Sequence, residues 1–284
     1  MDINIVTTDD GSELLKRLGN FEHAPKKLYI SGSIPSLREK RFITIVGSRM
    51  HHPDSKTIIN KIMRGLQGYP VVVVSGLALG IDGIAHKAAL EYGIPTIAFP
   101  GSGLSNIYPA SHSALAKSII ESGGALVSEF SPKTQAARWT FPLRNRLMAQ
   151  CADLVLVIEA SERSGTFITA RHALESGVTL CAVPHSPLNG HARGTNKLIQ
   201  DGAHVVLDHT DILELLGIPI EPKEQSVIHL PKDQQRIYGA LRKPTYRQEL
   251  FEHLSMSHDS FTQALSALEI AGYISERMGV ISKL

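Results

Sequence analysis

Between residues 42 and 206 the chain repeats one pattern: a short run of apolar, mostly β-branched residues, a turn, then a stretch in which apolar positions recur three and four apart. The apolar runs occupy residues 42–46, 71–74, 96–99, 125–127, 154–158, 179–183 and 204–207. Short and apolar at nearly every position, they predict strands buried on both faces. Helical periodicity falls between them, over residues 55–66, 84–92, 111–121, 143–152 and 167–175. Such alternation predicts an α/β fold, a doubly wound and mainly parallel sheet covered by helices on both sides.

The pattern changes after residue 216. Residues 217–226 combine proline with charge and read as a linker, because such composition resists regular structure. Beyond it, residues 233–241, 246–254 and 258–271 predict three small helices, followed by two short strands around Met278-Gly279. Three helices and a hairpin describe a small winged-helix domain over residues 227–284. The chain is thus expected to hold a large α/β domain over 1–216, with 1–40 as an N-terminal extension, a linker, and the winged helix.

Composition narrows the class. With 284 residues and 43% hydrophobic content, the chain can bury a sizeable core. No basic region followed by an apolar core opens the sequence and no apolar run approaches membrane-spanning length, so a cytoplasmic protein without membrane insertion is expected. Cys151 and Cys181 lie in apolar surroundings without a CxxC partner and read as reduced core thiols. The thirteen histidines show neither HExxH nor paired spacing, so no metal site is expected. The net charge of +2 is too small to advertise nucleic-acid binding, and any basic surface must be local.

Candidate chemistry collects in the loops that follow the strands: Gly47-Ser48-Arg49, Ser75 to Asp82, Pro100 to Gly103, Ser128-Glu129, Glu159 to Thr166 and Pro184 to Asn196. In a parallel sheet these loops share the carboxyl edge, where ligands bind. One stretch stands out. From Thr140 to Leu174 the chain packs Arg144-Asn145-Arg146, an apolar strand, and a Ser164-Gly165-Thr166 turn that opens a helix. Two guanidiniums converging on a helix N-terminus would suit a phosphate or a phosphodiester chain.

Other features carry more than one reading. Gly47 and Gly76 could serve only tight turns, and Asp82 could cap the helix near Gly83. Glu129 and Glu159 could form a catalytic pair or could each pair with an arginine. No nucleophile or base accompanies them at motif spacing, so no catalytic residue is assigned. Neither GxGxxG nor GxxxxGK[ST] occurs, and GxSxG is also missing. Dinucleotide, ATP and serine-hydrolase chemistry therefore lose their best signals, and no cofactor is expected.

The ordered blocks LYISGSIP, IVGSR, VVSGLALGIDGIAHKAAL, PGSGLSNIYPASHSAL, SGGALVSEF, FPLRNR, SGTFITARHAL and GTNKLIQDGA resemble the DprA/Smf family, the DNA-processing proteins of bacterial natural transformation. The resemblance implies an extended Rossmann-like domain that binds single-stranded DNA without sequence preference, protects it and promotes loading of the RecA recombinase, as a homodimer and without an established catalytic reaction. Carried over by motif position, Gly47, Ser48 and Arg49 would hold phosphates. Arg144, Asn145 and Arg146 would line the same pocket, with Arg138 as a further basic residue. Phe141 would offer a stacking face, and Ser164, Gly165 and Thr166 would offer backbone N–H groups. The sequence departs from the family at His185, where glycine is usual, at His51-His52-Pro53, and in an N-terminus that reads as too short for the family's small helical domain. Two other classes predict different behaviour. A nucleotide-processing hydrolase would use a strand-end glutamate, whereas a winged-helix transcription regulator would bind duplex DNA. The latter has a weak electrostatic basis, since residues 225–284 carry seven basic against six acidic side chains and the third helix has no Lys or Arg.

Overall fold

Val71, Val72, Val73 and Val74 form the bulk of the central strand of a nine-stranded sheet, and the alternation of a strand sends them to opposite faces. Val71 and Val73 pack into one core layer and Val72 and Val74 into another. This places apolar demand on both sides, and helices meet it on both sides. The computed structural model describes residues 2–7, 12–21, 23–162, 164–220 and 230–283, which divide between two compact units, 1–220 and 221–284.

In the first unit the elements run β1 (Asn4–Thr7), α1 (Glu13–Gly19), β2 (Lys27–Gly32), β3 (Arg41–Val46), α2 (Pro53–Leu66), β4 (Val71–Ser75), α3 (Ile81–Glu91), β5 (Thr96–Ala98), α4 (Ser113–Glu121), β6 (Ala125–Ser128), α5 (Thr140–Cys151), β7 (Leu154–Val157), α6 (Thr166–Glu175), β8 (Thr179–Ala182), α7 (Arg193–Gln200), β9 (His204–Val205) and α8 (His209–Leu215). The strand order is β1-β2-β6-β5-β4-β3-β7-β8-β9. From β6 to β9 neighbours are parallel, and β2 and β1 add an antiparallel edge. Helices α1, α5 and α6 cover one face through Leu18, Leu147 and Ala173. Helices α2, α3 and α8 cover the other through Ile62, Ala89 and Leu213.

Two differences from the sequence expectation matter. The N-terminal extension contributes strands to the sheet itself, which no periodicity in it announced. β2 pairs with β6 (Ile30↔Val127), and Leu28 and Ile30 enter the main core. Helix α5 starts at Thr140, three residues before its periodicity begins. Pro142 sits in its first turn, where a missing N–H costs nothing. Phe141 is therefore held on a helix rather than in a loop.

The second unit contains α9 (Lys232–Ala240), β10 (Thr245–Tyr246), α10 (Arg247–Leu254), α11 (His258–Ile270), β11 (Ile274–Arg277) and β12 (Val280–Lys283). Its strands are ordered β10-β12-β11, the arrangement of a winged helix. Phe261, Leu265, Leu268, Ile274 and Ile281 form its own core. Met278 and Gly279 both take positive φ, 52° and 76°, as a two-residue hairpin turn requires. Of the expected linker, residues 221–226 lie outside the described residues.

Candidate functional site

The chain steps from β3 through β4 and β5 to β6 on one side, then returns to place β7 on the other side of β3. At such a reversal the loops leaving β3 and β7 diverge, and a crevice opens at the carboxyl edge. A cleft of about 410 Å³ lies there, lined among others by Gly47, Ser48, Arg49, Arg138, Phe141, Arg144, Asn145, Ser164, Gly165 and Thr166. Ten of the eleven residues singled out from sequence meet in this one place.

Its floor is built by backbone contacts. The Ser48 N–H donates to the Glu159 carbonyl at 2.7 Å, and the Ile81 N–H donates to the Ser48 carbonyl at 3.2 Å. A Cβ on Gly47 would stand 2.6 Å from Ile81 Cγ1, so the glycine serves close packing rather than an unusual φ. Gly80 does adopt a positive φ, 77°, and its missing Cβ admits the carbonyls of Ser48 and Arg49. The loops after β3 and β4 thus brace each other.

The arginines have separate roles. Arg49 is exposed, and its guanidinium carbon lies 5.1 Å from the centroid of the Phe141 ring. Phe141 rests on Gly101, where a Cβ would come within 2.6 Å of the ring, and it meets Tyr108 at 6.0 Å between centroids. Arg138 is also exposed and belongs to no ion pair among the described residues. Arg144, in contrast, is 5% exposed; its Nη1 donates to the Gly76 and Phe99 carbonyls and its Nε to Asn145 Oδ1. Burial lowers its pKa to about 10, opposed by the Asp82 carboxylate and assisted by the Arg49 cation, so it remains charged at neutral pH. Asp82 is not the N-cap of α3, a position held by Gly80. It accepts the Gly76 N–H at 3.1 Å, and burial raises its carboxyl against the pull of Arg144. Arg144 is consequently a buried strut whose charge Asp82 partly balances.

Arg146 does not line the cleft. Two residues along a helix are about 200° apart, so when Arg144 faces the cleft Arg146 faces away. It pairs with Glu129 at 2.9 Å and also donates to the His23 carbonyl, binding the N-terminal segment to α5. The expected convergence of two guanidiniums is thus corrected: Arg49 and Arg138, from different elements, take the place of the Arg144 and Arg146 pair.

The helix opening at Ser164 also differs from expectation. The Ser164 N–H donates to the Ser161 carbonyl, and the Thr166 N–H donates to Ser164 Oγ at 3.2 Å. Those two donors are therefore engaged, and Gly165, with nothing within 4 Å of where a Cβ would stand, is the open point of the turn. Asn145 reaches the cleft from α5, its Oδ1 holding Arg144 in place.

The strand-end glutamates do not form a pair. β6 and β7 are four strand spacings apart, about 19 Å. Glu129 is held by Arg146, and Glu159 is fully buried, accepting the His52 N–H at 3.0 and 3.2 Å and the Ser55 hydroxyl. Glu159 thus anchors the start of α2, where the His52 side chain caps the helix by accepting the Asp54 N–H at 3.3 Å and Pro53 occupies the first helical position. His185 stays outside the cleft lining, its Nε2 bonded to the Ile158 carbonyl at 2.7 Å. Sequence reasoning missed Tyr108, Met50 and Ile168 around the cleft, because single apolar residues in loops or on a helix face carry no local signal.

A family model described as DNA recombination-mediator protein A matches residues 4–217. The chain is 41% identical over 192 residues to protein Smf of Escherichia coli strain K12, covering 68% of this chain and 51% of that protein. It is 38% identical over 196 residues to DNA processing protein DprA of Streptococcus pneumoniae, covering 69% and 68%. It spans about half the length of the Escherichia coli relative. Among solved structures, DNA processing protein A from Streptococcus pneumoniae superposes with a TM-score of 0.69 at 33% identity, covering 78% of this chain and 76% of that one. DNA processing protein A from Helicobacter pylori, described for its single-stranded DNA binding mode, gives 0.67 at 28% identity, covering 76% and 96%.

Proposed function

Because the chain belongs to the DNA recombination-mediator protein A family, also called DprA/Smf, we propose that its cleft binds single-stranded DNA without sequence preference. The observation that carries this is the exposed Arg49 guanidinium lying over the Phe141 ring at the switch point of the sheet. A cation and an aromatic face presented together suit a phosphate followed by an unstacked base. A duplex hides its base faces, so Phe141 favours a single strand. Phosphate contacts give affinity but read no sequence.

Gly47, Ser48, Arg49, Arg138, Phe141, Asn145, Gly165 and the Ser164 and Thr166 side chains form the contact set in this reading, with Arg144 supporting the floor. The protein holds the strand, protects it, and promotes loading of the RecA recombinase during natural transformation. The family description as a recombination mediator supports that step, as does a site that grips backbone without choosing sequence. It acts as a homodimer, so that one particle can hold more than one stretch of strand. The reading needs no bond-making step.

The test is fluorescence anisotropy of a labelled oligothymidylate against a labelled duplex of the same length, across a salt series. Preferential binding of the single strand, weakening linearly in log affinity against log salt, is expected. Equal or tighter duplex binding would overturn the proposal. Recombinase loading is read separately as faster RecA filament assembly on single strands when the protein is present, and the dimer by sedimentation.

A further inference from the structure

Trp139 is the only tryptophan in the chain, and it stands 57% exposed beside the cleft residues Arg138 and Phe141. We propose that it is a second base-stacking platform, so that a strand held in the cleft continues along the carboxyl edge of the sheet toward β6. This rests on the cleft binding single strands.

The two aromatic rings are seated on successive parts of the sheet edge. Phe141 lies on Gly101, which follows β5, whereas Trp139 packs edge-on against Phe130, which follows β6, with centroids 5.6 Å apart and planes at 89°. β5 and β6 are neighbours, so the rings follow one another along the edge rather than sharing one spot. Phe130 is buried and fixes one side of the indole, while the larger part of its surface stays in solvent. An exposed indole forgoes the burial that its large apolar area would otherwise gain, an arrangement more often found where a partner covers the ring.

The segment that carries Trp139 is fixed. Next to the indole, Thr140 Oγ1 donates to the Gly101 carbonyl at 2.6 Å, while Gly103 N–H donates to the Thr134 carbonyl at 2.9 Å and Ser105 N–H to the Pro132 carbonyl at 2.8 Å, tying the loop that leads into it. A platform tied at three points orders little on binding, so a stacked base is gained at low entropic cost. Charge on this path favours a polynucleotide over a peptide or apolar partner. Lys133 and Arg138 are exposed, and neither belongs to an ion pair among the described residues. Both belong to the segment that leads into Trp139 and supply cations for the phosphates flanking a stacked base.

Because the indole is unique, its own emission reports the proposed contact. The full chain is titrated with oligothymidylates of increasing length, with tryptophan fluorescence and anisotropy of a labelled strand read in parallel. Quenching that saturates with the anisotropy, and requires a longer strand than the shortest one bound, is expected. Trp139→Leu, which keeps apolar bulk on Phe130 but has no π face, should weaken longer strands roughly five- to 150-fold. Trp139→Phe should restore most of the loss. Thermal unfolding of both variants checks that they fold as the parent does. Strand binding by anisotropy with unchanged emission, or a Trp139→Leu variant that folds and binds long strands as the parent does, overturns the inference and leaves the cleft assignment standing. No anisotropy change with the parent protein overturns the cleft assignment, and this inference with it.

Discussion

The guanidinium carbon of Arg49 lies 5.1 Å from the centroid of the Phe141 ring. The two residues come from opposite sides of the switch point, one from the loop after β3 and the other from the first turn of α5. Each conditions the other. The ring holds the cation over the cleft mouth, and the cation lends positive charge to a face on which a base can stack.

Arg49→Ala tests that relationship. Arg49 is exposed and its contact with the Phe141 ring lies at the surface, so thermal unfolding should shift little. Affinity for oligothymidylate should fall by roughly 1–3 kcal/mol, and the slope of log affinity against log salt should become shallower by about 0.7. Anisotropy at several salt concentrations reads both. An unchanged slope would remove Arg49 from the phosphate contacts.

Gly165→Ala separates folding from binding in another way. Gly165 has an ordinary φ of −59° and open space where a Cβ would stand. The fold should accept alanine with little loss of stability, because an L side chain adopts this backbone conformation freely and the N-cap preference for glycine over alanine is small beside the binding effect sought. A strand approaching the turn would meet the new methyl, so affinity should drop about fivefold or more, roughly 1 kcal/mol. Wild-type affinity in an anisotropy titration would place the strand elsewhere.

Arg146→Ala should behave in the opposite sense to Arg49→Ala. It leaves Glu129 largely buried without its partner and frees the His23 carbonyl. A loss of about 3 kcal/mol in urea unfolding is expected. The salt dependence of strand binding should stay as in the parent. A variant of full stability with reduced affinity would show that Arg146 reaches the strand after all.

Acid stability should depend on His86. It is fully buried, with Nδ1 bonded to Thr96 Oγ1 at 2.8 Å, and burial together with nearby His112 lowers its pKa from 6.5 to about 3. The unfolded chain binds a proton below pH ~6.5 that the fold refuses until pH ~3, so stability is lost as pH falls through that window, by roughly 1 kcal/mol per pH unit. Asp82 and Glu129, raised by burial, act in the other sense and lose stability as pH rises out of the ordinary carboxylate range. His86→Gln removes only the histidine contribution. Urea unfolding between pH 7 and 4 should therefore show a flatter decline in the variant, and equal slopes would refute the assignment.

Much of this protein was legible in its sequence, for local reasons. Apolar runs such as Val71 to Val74 and Leu154 to Val157 declare doubly buried strands without reference to anything distant. Their alternation with helices fixes which loops share the carboxyl edge. The glycines and arginines of those loops are consequently legible as a candidate site from sequence. The tertiary structure decided what no local pattern encodes. β2 joins the sheet through β6, nearly a hundred residues away, so its place depended on a partner rather than on its own composition. Arg144 and Arg146 look alike in Arg-Asn-Arg, yet the phase of α5 sends one to the cleft floor and the other to Glu129. Burial then makes a strut of the first, and leaves Arg49, Arg138 and Phe141 to face the solvent from which a strand would arrive.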